Sequence, residues 1–289
     1  MSNIKNIKTK LDSLSNMKQL FRSMESADYD KLNKITRQFL CYKSFMEDFF
    51  SIIWSVDFNL FKQKNNWLTG KKLILVFSTD KWFCGDYNCR LFKSIYSEYF
   101  DCVWDVDVFC IGKKAFEFFA KKWFNIVWYL KLGDDFSQDD LSELYDYFIS
   151  GISNNLYSDI SVYLNFLKNK ANSGTANYNL YPVDECSLSL FMDNLWISMA
   201  NISIAEWTSL SWESEKFKIE MEKQLLQYML YWAALQNRMA ELNSRISVLQ
   251  NMKSTSDYIV KDLRLSFNKI CQSLLSREIS NIMELKASY

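Results

Sequence analysis

The sequence predicts an α/β protein with long helices: an antiparallel two-helix coiled coil formed by the two ends of the chain, and a central Rossmann-like α/β domain. Three observations carry this reading. All 6 glycines and the 1 proline fall between Gly70 and Pro182, so both ends lack the strongest helix breakers. Apolar residues in both ends recur in steps of three and four. The middle alternates short apolar runs with amphipathic segments, the pattern of strands and helices in a parallel sheet. The expected parts are an N-terminal helix over 1–69, the α/β domain over 70–205 and a C-terminal helix over 206–289.

In the first arm a loose seam of Ile4, Ile7, Leu11, Leu14, Met17, Phe21 and Met24 precedes a stricter one of Ile35, Phe39, Tyr42, Met46, Phe49, Ile53, Val56 and Leu60. The second arm answers with Leu235, Met239, Leu242, Ile246, Leu249 and Met252, then Ile259, Leu263, Phe267, Ile270 and Leu274. Such seams pack helix along helix, and arms that flank one body must pair antiparallel. Two amphipathic helices covering a globular core would show similar periodicity. Length favours the coil: eighty helical residues reach about 120 Å at roughly 1.5 Å each, whereas a body of about 130 residues is only ~35 Å across.

Within the middle, the apolar run Lys71 to Ser78 after Gly70 reads as a buried strand. A helix follows over Asp86 to Phe100, a strand over Val103 to Ile111 ending at Gly112, and a helix over Lys113 to Lys122. Ile126 to Leu132 reads as a strand, and Ser137-Gln138-Asp139-Asp140 caps a helix running to Ile149. The final strand spans Ile160 to Phe166, and the polar segment Lys168 to Asn179 is the best loop candidate.

Composition narrows the chemistry. The 34 basic and 34 acidic side chains cancel, so no whole-chain field draws nucleic acid or an anionic membrane. No apolar run approaches the roughly twenty residues of a bilayer span, and Met1-Ser2-Asn3-Ile4-Lys5 starts no signal core. A cytoplasmic protein is expected. The 7 cysteines are irregularly spaced and match neither a disulfide framework nor a zinc knuckle. There is no histidine, the commonest general base and transition-metal ligand. Richness in Lys, Asn, Ile, Phe and Tyr points to an AT-rich genome, and 10 tryptophans suit a mollicute-like genetic code.

An α/β body invites a test for phosphate binding, which needs a glycine-rich turn at a helix N-terminus. Neither glycine fingerprint is present, and Gly112-Lys113-Lys114 lacks the upstream glycine. Cys84 beside Gly85 has the acidic neighbours Asp80 and Asp86, which raise a thiol's pKa, so a loop-shaping role is expected rather than a nucleophile.

The same loop, Ser78-Thr79-Asp80-Lys81-Trp82-Phe83-Cys84-Gly85-Asp86-Tyr87-Asn88, resembles the Ser-Asp-Arg-Gly-Leu-Cys-Gly-Gly-x-Asn loop of the gamma subunit of F-type ATP synthases, with Asp80, Cys84, Gly85 and Asn88 in register. The second arm is similar to that family from Ala240 onward, through Glu241, Arg245-Ile246, Asn251, Leu263-x-Leu265-x-Phe267-Asn268, Gln272 and Glu278. In the first arm Ser13, Asn16 and Met24 agree, while Gln19, Phe21 and Ser23 replace the family's Lys, Thr and Ala. Ile111 to Lys114, Val162 to Phe166 and Leu180 to Val183 follow in the same order.

The resemblance implies a central rotor: two terminal helices forming a coil inside a ring of three alpha-type and three beta-type ATPase subunits. Below it the α/β body meets an epsilon-type subunit and a membrane c-ring or another membrane or cytoskeletal base. It implies contacts with the ring at Lys18, Gln19, Arg22, Met24, Arg264, Asn268, Gln272 and Glu278, no catalytic residue, no metal and no cofactor. The complex would lie against the inner face of the cell membrane, with the chain itself not spanning it. Cys271-Gln272 stands where the family has Arg-Gln, and Trp82-Phe83 where it has Gly-Leu. These departures, with the composition, point to a divergent, mollicute-type F-type-like ATPase whose output is synthesis, ion pumping or mechanical work. The sequence leaves two other readings open: a static coiled-coil scaffold with a protein-binding α/β body, and a nucleotide-using enzyme with helical extensions.

Overall fold

The computed structural model describes residues 2–55, 70–167, 173–182 and 215–287. The boundaries expected near 69 and 205, the seam residues Val56 and Leu60, and Cys186 lie outside them. Helix α1 is Ser2–Ser55 and helix α5 is Glu215–Ala287. Between them run β1 (Lys71–Phe77), α2 (Tyr87–Tyr99), β2 (Val106–Ile111), α3 (Lys113–Ala120), β3 (Asn125–Leu130), α4 (Ser142–Ser153), β4 (Tyr157–Leu167) and β5 (Ser173–Tyr181). The residues group into two compact units, one of Met1–Asp30 with Arg245–Tyr289, the other of Lys31–Ser244.

The larger unit is built on one sheet in the order β3-β2-β1-β4-β5. The β1/β2, β1/β4 and β2/β3 pairs are parallel, while β5 runs antiparallel to β4 with Leu164 opposite Ala176. A wholly parallel sheet with a loop over Lys168 to Asn179 is therefore corrected: from Ser173 onward that segment is an edge strand. Its small polar residues hide it because only Tyr178 and Leu180 are buried, the others being half-buried or exposed. An edge strand is held by its ladder to one neighbour and needs no apolar run.

Period-two alternation distributes β1 between two cores. Ile74 and Val76 join Val106, Val108 and Cys110 beneath α2 and α3, which contribute Leu91, Ile95 and Phe119. Leu73, Leu75 and Phe77 face the other way, where Leu144 and Phe148 of α4 pack beside Ile35, Phe39, Met46 and Phe50 of α1 and Leu225 to Leu242 of α5. In this unit the expected coil seam thus does more than join two helices. Phe39 meets Trp232 in a tilted contact at 4.3 Å and Phe49 meets Tyr228 edge-on at 4.9 Å, yet the fully buried step runs from Met46 to Phe50 rather than to Phe49. A straight helix lying on a sheet keeps a 3.6-residue stripe, which drifts from the 3.5-residue coil seam.

Element ends follow local chemistry. Gly112 takes φ +96° between β2 and α3, and a Cβ there would lie 2.6 Å from the Ser78 carbonyl oxygen, so only glycine fits. Asp140 accepts the Ser137 backbone N–H at 2.6 Å ahead of α4, half of a capping box.

The smaller unit is an antiparallel helix pair. Arg245 Nη2 lies 3.1 Å from Asp28 Oδ2, Lys253 Nζ lies 3.2 Å from Glu25 Oε2, and Lys18 contacts Asp257. Gln250 Nε2 donates to Tyr29 Oη at 2.8 Å. Partner numbers fall on α1 as they rise on α5, which fixes the direction. Phe21, Ile246 and Leu249 are buried along this seam.

Candidate functional site

Two surfaces carry the residues singled out from sequence. The first is the turn from β1 into α2. Phe83 and Gly85 both take left-handed backbone, at φ 66° and 58°, which folds the loop tightly and, at a phenylalanine, stores strain. Between them Cys84 is buried, its Sγ 3.7 Å from the carbonyl oxygens of Lys81 and Trp82. Asn88 staples the loop to its start: its Oδ1 accepts the Thr79 N–H at 3.3 Å and its Nδ2 donates to Thr79 Oγ1 at 2.8 Å. Asp80 Oδ1 accepts the Lys113 N–H at 2.6 Å. That amide opens α3, where the helix dipole and unpaired N–H groups favour an anion. The protein's own carboxylate stands where an α/β enzyme holds a phosphate.

This loop is locked to α5. Tyr87 Oη lies 2.8 Å from both the Asn237 carbonyl oxygen and Asn237 Oδ1, Ser244 Oγ donates to the Cys84 carbonyl at 2.9 Å, and Asn165 Nδ2 donates to the Tyr87 carbonyl at 3.1 Å. Burial, with Glu241 nearby, raises the Tyr87 pKa well above the ordinary phenol value, so it is a neutral donor. Beside it Arg238 pairs with Glu241 at 2.6 Å and with Asp134, which also holds Lys31 at 2.6 Å and Lys81. Burial favours the neutral form of Asp134, but hydrogen bonds from Lys31 and Lys81 and the charge of Arg238 outweigh it and hold the carboxyl well below its usual range. Sequence reasoning did not single out Tyr87, Asn237, Arg238 or Asp134. The available signal was Gln236-Asn237-Arg238, a polar run inside the buried stretch Trp232 to Leu242, where a buried charge requires a partner.

The second surface is the helix pair. Gln19, Arg22, Arg264, Asn268, Gln272 and Glu278 are exposed, and Lys18 and Met24 partly so. Lys18 and Arg264 share a shallow groove with Asp12, Asp257 and Phe267, and the hydrogen bond from Lys18 holds the Asp257 pKa down, with Arg22 adding to the effect. Asn268, Gln272 and Glu278 stand apart from this groove toward the end of α5. There Leu275, Ile279, Ile282 and Met283 are 56–68% exposed at helical spacing. In the register set by the ion pairs, Ser2 falls opposite the region near Ser273, so these last turns have no α1 partner among the described residues. Among those residues no helix is long and apolar enough to cross a membrane, and no cluster of three or more metal-ligating side chains occurs.

A family model described as ATP synthase matches residues 3–284. The chain is 24% identical to the ATP synthase gamma chain of Amoebophilus asiaticus, over 98% of this chain and 97% of that one. It is 25% identical to the gamma chain of Haemophilus influenzae strain PittGG, over 98% of each. Among solved structures, a chain of the Euglena gracilis mitochondrial ATP synthase, in an OSCP/F1/c-ring assembly, superposes with TM-score 0.68 at 14% identity, covering 99% of this chain and 94% of that one. A chain of the Tetrahymena thermophila central stalk and c-ring superposes with TM-score 0.60 at 14% identity, covering 80% and 98%. With the family model matched along nearly the whole sequence and full-length gamma chains among its relatives, this chain belongs to the ATP synthase gamma-chain family.

Proposed function

We propose that the chain is the central rotor stalk of an F-type or F-type-like rotary ATPase, coupling nucleotide turnover in a hexamer of alpha- and beta-type subunits to rotation of a shaft. The observation that carries this is the helix pair: an antiparallel coil with ion-paired register, ending in the exposed apolar turns Leu275 to Met283. An exposed apolar stripe of this kind marks a surface that another protein covers. One shaft cannot make identical contacts with three catalytic subunits, so each angle favours a different conformation at each site. Shaft angle and nucleotide affinity then become linked free energies.

In this reading the chain is a non-catalytic subunit. Asp80 fills the α3 N-terminus, the sequence has no phosphate loop, and no histidine is available as a base. Lys18, Gln19, Arg22, Met24, Arg264, Asn268, Gln272 and Glu278 are the proposed contacts with the hexamer. The helical ends at 1–69 and 206–289 act as shaft, and the α/β domain at 70–205 acts as the base that meets an epsilon-type subunit and a c-ring or other support. The complex sits on the cytoplasmic face of the membrane through that base.

Subunit stoichiometry of the native complex tests the proposal. One copy of this chain per three beta-type subunits is expected, whereas isolation of the chain free of any ATPase subunit would overturn the rotor reading in favour of a scaffold. Co-purification of a c-ring, or of a cytoskeletal base in its place, identifies the output.

A further inference from the structure

Apolar contacts hold α1 and α5 against the sheet in the larger unit: Phe39, Met46 and Phe50 from one helix, Met229 and Trp232 from the other. Such contacts are non-directional. They oppose separation strongly but distinguish poorly between neighbouring rotations or one-residue slides of a helix. A directional contact is needed to fix the angle, and among the described residues of this unit one carboxylate draws in both helices and the β1 loop. Asp134 lies in the turn after β3. Lys31 of α1 reaches its Oδ2 at 2.6 Å, while Lys81 of the β1–α2 loop and Arg238 of α5 both contact its Oδ1. Arg238, with a side chain 10% exposed, also pairs with Glu241, whose Oε2 lies 2.6 Å from its Nη1. Asp134 is 36% exposed and Lys31 41%, so the buried part of the network is the Arg238–Glu241 pair. Charge-assisted contacts to a planar guanidinium have a fixed geometry, and fixing register is the best-attested use of such buried pairs.

We propose that Asp134 is the key that sets the rotational register of α1 and α5 in the α/β body, a positioning residue through which torque on the helices is delivered to the body. This rests on the rotor reading. The adjacent pair Lys34 to Asp135, at 2.7 Å with side chains 56% and 72% exposed, is an internal control: it joins α1 to the same turn but lacks the buried arginine that Asp134 contacts, and exposed pairs contribute little.

The test uses the assembled complex with a bead carried by the body at the exposed Cys89, with Cys41, Cys102, Cys186 and Cys271 changed to Ser. Torque at the bead and rotation per ATP are read alongside bulk turnover. Asp134→Asn is expected to leave turnover within about twofold of wild type, since no catalytic contact is lost, while torque at the bead is at least halved. Asp134→Glu should restore most of it, and Lys34→Ala should change nothing. Unaltered torque in Asp134→Asn, or an equal loss in Lys34→Ala, would overturn the assignment. Should Asp134→Asn fail to assemble, Lys31→Met removes only the α1 cation; reduced torque then supports the key and full torque refutes it. Failure of the rotor reading itself shows differently, as a wild-type complex that turns over ATP without moving the bead.

Discussion

Gly112 and Trp232 are two positions that tolerate little change. Alanine at 112 would need a left-handed β-carbon 2.6 Å from the Ser78 carbonyl oxygen, and strain of that kind costs about 1–3 kcal/mol. Trp232 is fully buried against Phe39, so Trp232→Ala should cost about 3–5 kcal/mol. Denaturant titration of the two variants measures both losses. The thiols offer a second test at this scale. Burial pushes Cys110 up to about 12, whereas Cys41 and Cys89 are exposed. Alkylation of the native chain near neutral pH should label Cys41 and Cys89 and spare Cys110, which should react only on unfolding; rapid native labelling of Cys110 would contradict the packing beneath α2 and α3. Gly112 was legible as the end of a strand, but not its positive φ, since glycine marks many turns without needing one. Trp232 gave no signal, because a tryptophan in an aromatic-rich chain has no special spacing.

Elements with a repeating pattern were legible, and elements held by single contacts were not. β1 and β2 could be read because a strand buried on both faces is an unbroken apolar run, and α1 and α5 because helical periodicity survives over long, glycine-free stretches. β5 was read as loop because an edge strand borrows its stability from β4. The loop residues Asp80, Cys84, Gly85 and Asn88 were found through resemblance, but their anchor on α5, from Asn237 to Ser244, depends on contacts between segments distant in sequence. The antiparallel pairing has a direct check: cysteines replacing Glu25 and Lys253 should crosslink readily, while Glu25 paired with a position near the end of α5 should not. The Asp134 cluster also gives a pH signature. Its folded pKa is depressed, so its contribution is present above the unfolded carboxylate value of roughly 3.9 and is lost as pH falls below that toward the folded value. Acid unfolding of the larger unit should steepen below about pH 4 in wild type, and Asp134→Asn should flatten that steepening.

At the scale of the whole molecule, shape and charge make different predictions about the shaft. Arg22 is exposed and contributes through weak, screened electrostatics. Arg22→Glu should leave ATP turnover by the assembled complex largely intact. Deleting Asn268 to Tyr289 removes the exposed apolar turns and should loosen assembly and uncouple rotation from hydrolysis; the reverse ranking would place the asymmetry in charge. The isolated chain should not bind Mg-ATP in calorimetry, and a micromolar dissociation constant would refute its non-catalytic assignment. Asp28 and Arg245, with side chains 5% and 7% exposed, share one buried contact although they belong to opposite ends of the chain. Losing one partner of such a pair costs about 3–5 kcal/mol, whereas replacing both with apolar residues can be neutral. Substitutions at these two positions are therefore expected to be coupled: homologues should carry the acid and the base together or neither, and a lineage holding only one should be rare.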